Sequence, residues 1–312
     1  MRPAHLTLAL GVLALTLGAA QAEPRQLKLI MFHGIGGLPV YVAQDKGFFA
    51  KYGLAADVTY TPTSDFQRKS LAEGKFDIAP TGADNAVFMV DTGVADVILV
   101  AGGDNSMNEL LVRPGLGSYD DIRGKAVVVD APNTAFAFQL YKMLELKGVK
   151  RGEYTVVSKG GTPQRLAAMK EDPNNAAAMI GTPFNIAAEK EGFRSLGNVT
   201  EVLGPYQGGA VAVLRSWAKA NSATLIRFLK AEIAAQRWAF DPKNRAELAE
   251  ILGKREKLDP ETIRAGIEAA VGGAKPGLDR DLRFDLVGFR EVLRLRAEFA
   301  GKPGAKPPSP NK

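Results

Sequence analysis

Apolar residues along this chain recur at two periods, and the periods alternate. Gln26 to Phe32 carries Leu27, Leu29 and Met31 on one face, which predicts a strand. His33-Gly34-Ile35-Gly36-Gly37 is a glycine-rich turn, and Leu38 to Tyr52 then shows a helical pattern stopped by Gly53. Asp57–Thr61 reads as a second strand, and Ser64 or Asp65 can cap a helix running to Ala72. Phe76–Pro80 reads as a third strand. Thr81-Gly82-Ala83-Asp84 then turns into a helix with Asp84 as a plausible N-cap, before a fourth strand at Val97–Ala101.

The pattern breaks at Gly102–Ser106, a polar, glycine-bearing segment. Beyond it, strands at Leu110–Val112, Ala126–Val129, Tyr154–Val157 and Ala176–Ile180 alternate with helices at Thr134–Leu146, Pro163–Met169 and Pro183–Lys190. A second glycine-bearing crossing lies at Gly204–Gly209, followed by a strand at Ala210–Leu214. The remainder is helical: Ala223–Phe240, Arg245–Leu252, Pro260–Ala270 and Leu282–Phe299. Strands alternating with helices predict an α/β fold of mostly parallel sheets flanked by helices. Two crossings around a central block predict two lobes joined by a double hinge at 102–107 and 204–209. Lobe one is expected to hold residues 24–103 plus 208–300, and lobe two residues 108–203. Residues 301–312 hold too many Pro and Gly to pack and are expected to be a disordered tail.

The first residues follow neither period. Leu6–Leu17 is an apolar run behind Arg2 and His5, and Ala20-Gln21-Ala22 is a small-x-small site. This is the pattern of a secretory signal peptide cleaved after Ala22, too short to span a bilayer. Hydrophobic residues make up 46% of the 312 and charged residues 24%, enough for two cores. Cysteine is absent, so no disulfide is available and no lipid can be attached behind the leader. A free periplasmic monomer is expected. The formal charge of +6 is spread without basic runs, which argues against nucleic acid as a partner.

Several words in the chain carry a family resemblance. They are Lys46-Gly47-Phe48-Phe49 with Tyr52-Gly53-Leu54, Leu71-Ala72-Glu73-Gly74 with Phe76-Asp77-Ile78-Ala79, Thr81-Gly82, and Ile122-Arg123-Gly124-Lys125. Arg237-Trp238, Asp241-Pro242 and Ala249–Leu252 complete the set. In that order the sequence resembles the periplasmic substrate-binding proteins of ABC transporters, of the nitrate, sulfonate, taurine and thiamine-precursor type. The resemblance implies a type II clamshell, closing on a small organic nutrient and docking on a membrane permease with a separate ATPase. It implies no catalytic residue, cofactor or metal. A ligand-sensing domain and an enzyme on the same fold are the alternatives, the latter opposed by the missing cysteine and by His33 as the lone histidine after the leader.

In a clamshell the ligand meets strand-to-helix turns, where helix N-termini offer unpaired N–H groups. The candidates are His33, Gly36 and Leu38 in the first turn, Ser64 in the second, and Gly82, Asp84 and Asn85 in the third. In lobe two they are Asn133, Thr134, Ala135 and Phe136, then Thr162, then Thr182 and Phe184. Asn105 and Gln207 sit at the crossings. Asn133 and Thr134 either cap a helix or contact ligand, and Asp84 either caps or accepts hydrogen bonds from a ligand. Gly181-Thr182-Pro183 departs from the sulfonate-type pattern, which places a Trp and an acidic residue there. The space it leaves admits a bulkier ligand stacking on Phe32, Phe136, Phe184 or Tyr206, unless these aromatics are core.

Overall fold

The computed structural model describes residues 23–300; the expected leader and tail lie outside the described residues. The first strand, β1 (Arg25–Met31), is followed by α1 (Leu38–Asp45), α2 (Phe48–Lys51), β2 (Leu54–Tyr60) and α3 (Ser64–Ala72). The single helix expected at 38–52 is thus two. Gly47 adopts φ 69°, a left-handed turn that glycine takes without a Cβ penalty, and it breaks the helix before Phe48. Then come β3 (Ala79–Gly82), α4 (Ala83–Asp91) and β4 (Val97–Ala101).

The middle block contains β5 (Asn108–Val112), β6 (Ala126–Val129), α5 (Ala135–Leu146), β7 (Thr155–Ser158), α6 (Thr162–Glu171), β8 (Asn175–Gly181) and α7 (Phe184–Lys190). It ends in β9 (Arg194–Asn198) and α8 (Val199–Leu203), two elements that the sequence pattern does not announce. Arg-Ser-Leu-Gly-Asn has no alternation. It is held as an edge strand by β5, with a register shift. The chain returns through β10 (Gly209–Leu214) into α9 (Arg215–Ala220), α10 (Ser222–Phe240), α11 (Arg245–Glu256), α12 (Pro260–Val271) and α13 (Leu286–Phe299).

The sheets are mixed. In lobe two the order is β7-β6-β8-β5-β9, with β6 parallel to β7 and β8, while β5 runs antiparallel to β8 and β9. In lobe one β1 pairs parallel with β2, and β10 lies antiparallel between β3 and β4. A parallel bridge from Leu29 to Ile78 ties the two groups. The strands that run antiparallel to both neighbours are β5 and β10. β5 follows the first glycine-bearing crossing and β10 the second.

Burial follows the layers. Val127, Val128 and Val129 of β6 are fully buried, because helices cover both faces of a sheet built around parallel pairs. Each such side chain contributes about 1.5–3 kcal/mol by leaving water. Helix α13 packs against α4 and α5, with Phe289, Val292 and Leu295 in one cluster with Ala83 and Phe138. It therefore joins a helix that precedes the first crossing to one that follows it. Among the described residues no helix is long and apolar enough to cross a membrane.

Candidate functional site

Every strand-to-helix turn singled out in the sequence reaches one cavity of about 170 Å³ between the sheets. That is comparable to the roughly 150 Å³ of an engineered cavity that takes benzene. His33, Gly36, Ser64, Gly82, Asp84, Asn85, Thr134, Ala135, Phe136, Thr162, Thr182 and Phe184 all line it. The walls also touch directly across the cleft. The Ile35 N–H donates to the Thr182 carbonyl at 3.1 Å and the Gly161 N–H to the Pro62 carbonyl at 3.0 Å. The Ser64 hydroxyl donates to Asp130 Oδ2 at 2.8 Å.

The remaining candidates lie elsewhere. Leu38 opens α1 pointing inward and is wholly buried in the core. Asn105 and Gln207 line a separate surface hollow. Gln207 fastens the crossings: its Nε2 donates to the Asp104 carbonyl at 3.3 Å and the Gly209 carbonyl at 2.6 Å, and its Oε1 accepts from Asp285 N at 2.7 Å. Asn133 accepts at Oδ1 from Arg68 at 3.4 Å, and its carbonyl accepts from Arg296 at 3.1 Å. Tyr206 is core, while Phe32 lines the cavity.

The capping alternatives resolve by geometry. Thr134 is the N-cap of α5, accepting from Ala137 N at 3.5 Å, and it donates to Asp130. Its hydroxyl proton is therefore used within the protein, so the groups it offers a ligand are its lone pair and the N–H groups of the first turn. Asp84 does not cap α4: Gly82 holds that position, and α4 has no side-chain cap. Asp84 instead meets Arg296 through two hydrogen bonds of 2.6 Å, both side chains almost completely buried. Burial pushes the Asp84 carboxyl up and the Arg296 guanidinium pulls it back.

Gly36 and Gly37 are packing glycines. A Cβ on Gly37 would lie 2.3 Å from Met31 Cε, and one on Gly36 would lie 3.1 Å from Asp104 Oδ2. His33 stacks on Tyr60 with ring centroids 3.9 Å apart, and its Nδ1 lies 3.3 Å from Glu256 Oε2. Glu256 also accepts from Gly34 N and from the Tyr41 hydroxyl, so it anchors the first turn from α11. Among the described residues no group of three or more His, Asp or Glu is placed to hold a metal.

Two charged residues of the cavity, Arg165 and Glu232, are not among the candidates read from the sequence. Arg165 lines it and is fully buried. Its Nε donates to the Met179 carbonyl at 2.9 Å, Nη1 to the Gly160 carbonyl at 2.8 Å, and Nη2 to Thr162 Oγ1 at 2.9 Å. A guanidinium has five N–H donors, so these three bonds leave two. No carboxylate among the described residues forms an ion pair with it. Burial lowers it to about 10, with Asp130 opposing at longer range, so it remains a cation. Glu232 and Gln236 of α10 also line the cavity and are buried. A common signal marks these charges. Arg165 lies on the buried stripe Thr162, Leu166, Met169, and Glu232 on the stripe Leu225, Phe228, Ala235, Ala239. A charge at an apolar position of a helical stripe is a buried charge.

A two-lobe α/β molecule with a cavity where its helix N-termini converge has the fold of the periplasmic binding proteins. The nitrate-binding protein NrtA from Synechocystis PCC 6803 superposes with a TM-score of 0.77 at 17% identity, covering 91% of this chain and 84% of that one. The alkanesulfonate-binding protein SsuA from Xanthomonas axonopodis pv. citri, bound to MOPS, superposes with a TM-score of 0.72 at 19% identity, covering 89% and 92%. The bicarbonate transport ATP-binding protein CmpC of Synechococcus elongatus is 25% identical over 240 residues. That match covers 70% of this chain and only 36% of CmpC. The NMT1-like family matches residues 20–253, and the chain belongs to it.

Proposed function

We propose that this chain is the periplasmic solute-binding component of an ABC importer, holding a small anionic solute between its lobes and presenting it to a membrane permease. The observation that carries the reading is Arg165, a buried cation facing the cavity with two N–H donors left over. A buried charge is costly unless compensated, and an anionic ligand would compensate it. The α6 N-terminus beside it adds N–H groups and positive dipole, with no side chain capping it. The named ligand classes of NrtA and SsuA, nitrate and alkanesulfonate, agree in charge.

The lobes of the reading are residues 24–103 with 208–300, and residues 108–203. They hinge where Gln207 and Asp104 fasten the two crossings together. A ligand touching both walls stabilises the closed arrangement by its differential affinity. No chemical step is assigned to the cleft.

Thermal unfolding with nitrate, bicarbonate, alkanesulfonates and aromatic carboxylates tests the proposal. A ligand at a hundred times its Kd should stabilise the protein by about 2.7 kcal/mol. At least one anion should do so while matched uncharged compounds do not. Stabilisation by none of the anions would overturn it.

A further inference from the structure

The part of the cavity wall contributed by α10 is polar in a way the turns do not explain. Glu232 and Gln236 lie one helical turn apart, both line the cavity, and they are 2% and 0% exposed. The Gln236 amide has a fixed orientation. Its Nε2 donates to the Asp279 carbonyl at 3.0 Å, which leaves Oε1 buried without a donor. Glu232 meets neither a hydrogen-bond donor nor a cation among the described residues, and burial alone pushes its carboxyl up to about 8. A buried carboxyl without partners keeps its proton, because the ion is the costlier form there. At neutral pH Glu232 therefore presents an O–H. The other acids of the cavity differ. Asp84 is paired with Arg296, and Asp104 accepts from the backbone of Ser106, Met107 and Gly209.

The cavity thus has two unlike ends. Arg165 on α6 offers charge and spare N–H donors. The α10 end offers one O–H donor beside one amide acceptor, and no charge. Neither Arg165 nor any other charged residue shifts the Glu232 carboxyl, so the two ends stand apart. A compact anion held at Arg165 leaves the α10 end without partners. An alkyl tail there would strand both polar groups. A second carboxylate would face the Gln236 oxygen, and an ammonium would meet the Glu232 O–H with nothing to accept it. A hydroxyl would have to serve both groups from one atom. A carboxamide or urea has a carbonyl to accept from Glu232 and, beside it, an N–H to donate to Gln236.

We propose that Glu232 and Gln236 set the specificity of the cavity, and that the solute is an anion bearing an uncharged carboxamide or urea group at the end remote from Arg165. The inference rests on the anion reading of the cleft. It deepens that reading by giving the solute a second, uncharged end. Helix α6, before the second crossing, holds the anionic end, and α10, after it, holds the amide. A buried donor and acceptor reject an analogue that lacks the matching groups, because they are then left unpaired.

Calorimetry on the full chain tests this with anions of matched shape on two scaffolds. The first set is 4-amino-4-oxobutanoate, 4-oxopentanoate and 4-methylpentanoate, in which one outline carries an amide, an acceptor alone, or neither. The second is 4-carbamoylbenzoate, 4-acetylbenzoate and 4-isopropylbenzoate. Butanedioate and 4-aminobutanoate place a charge where the first set has its amide. On at least one scaffold the amide should bind wild type roughly tenfold or more tightly than the ketone, and the ketone more tightly than the alkyl member. Glu232→Gln, which keeps an uncharged donor, should preserve that order. Glu232→Met and Gln236→Met should lose the amide advantage, with circular dichroism checking the fold; the wild-type order decides the matter if they do not fold. Equal binding of amide and alkyl members on both scaffolds would overturn this inference and leave the anion reading standing. Tighter binding of butanedioate or 4-aminobutanoate than of 4-amino-4-oxobutanoate would do the same, as would an amide advantage that survives both Met variants. Binding of none of these compounds by a protein that still binds nitrate or ethanesulfonate would also overturn only this inference. Binding of no anion at all would overturn both.

Discussion

Three arginines are buried beside the cleft; Arg68 of α3 pairs with Asp65 and Arg296 at the α4–α13 contact with Asp84, while Arg165 at the start of α6 has no carboxylate. Arg296 closes on Asp84 through paired hydrogen bonds and donates a third to the Asn133 carbonyl. Arg165 bonds to two carbonyls and a hydroxyl, and meets no carboxylate. The first arrangement ties α13 to α4 and, through the Asn133 carbonyl, to the turn before α5. The second leaves positive charge for something that is not part of the chain. Burial alone does not separate the two roles; the inventory of partners does. Arg296 takes up the charge of Asp84 inside the protein, so this carboxylate at the cavity is already paired.

The sharpest way to break the comparison is to remove Arg296. Arg296→Leu leaves Asp84 buried without a partner and should cost about 3–5 kcal/mol in urea unfolding. Replacing both with apolar residues, Asp84→Leu with Arg296→Leu, should recover most of that loss. If the single variant is as stable as wild type, the pair is not what closes α13 on α4.

A second prediction concerns pH. The folded Glu232 carboxyl titrates near 8, above its ordinary 4.5. The folded state thus keeps a proton that the unfolded chain releases between these values. Stability should fall as pH rises from about 4.5 to 8, opposite to the usual trend for paired carboxylates. Glu232→Gln should flatten that slope in urea unfolding measured from pH 5 to 8.5. The same slope in both proteins would mean that Glu232 is ionised in the fold.

The smallest expected effect is at the cap. Thr134→Ala removes the side-chain acceptor at the start of α5 and should cost about 1 kcal/mol, read from the urea midpoint at constant slope. A loss below a few tenths would show that the backbone of the turn holds α5 unaided.

Legibility in the sequence divided along the same line as the two arginines. The strand-to-helix turns could be located from periodicity and glycine, because turn position follows from where one period gives way to the other. Hence Ser64, Asn85, Thr134, Thr162 and Thr182 are nameable as residues of the turns that reach the cavity. What a side chain does once it arrives depends on distant partners. Asp84 meets a residue on the last helix, and Asn133 meets Arg68 and Arg296, so neither fate could be read locally. Arg165 and Glu232 are hidden for a different reason: their helices announce themselves by apolar stripes, and the role of a charge standing on such a stripe depends on partners far along the chain. Gly47 broke a helix whose apolar pattern ran on through it, and β9 exists because β5 offers an edge, not because its residues favour a strand.

The central claim is that Arg165, unlike Arg296, is open to an anion. Side-chain Nε–Hε resonances of the two arginines, assigned with an Arg165→Lys variant, can be followed while nitrate or ethanesulfonate is added. The account predicts that the Arg165 signal moves with saturating dependence on the anion while the Arg296 signal stays in place. A saturable anion effect on the protein that leaves the Arg165 signal unmoved would contradict it.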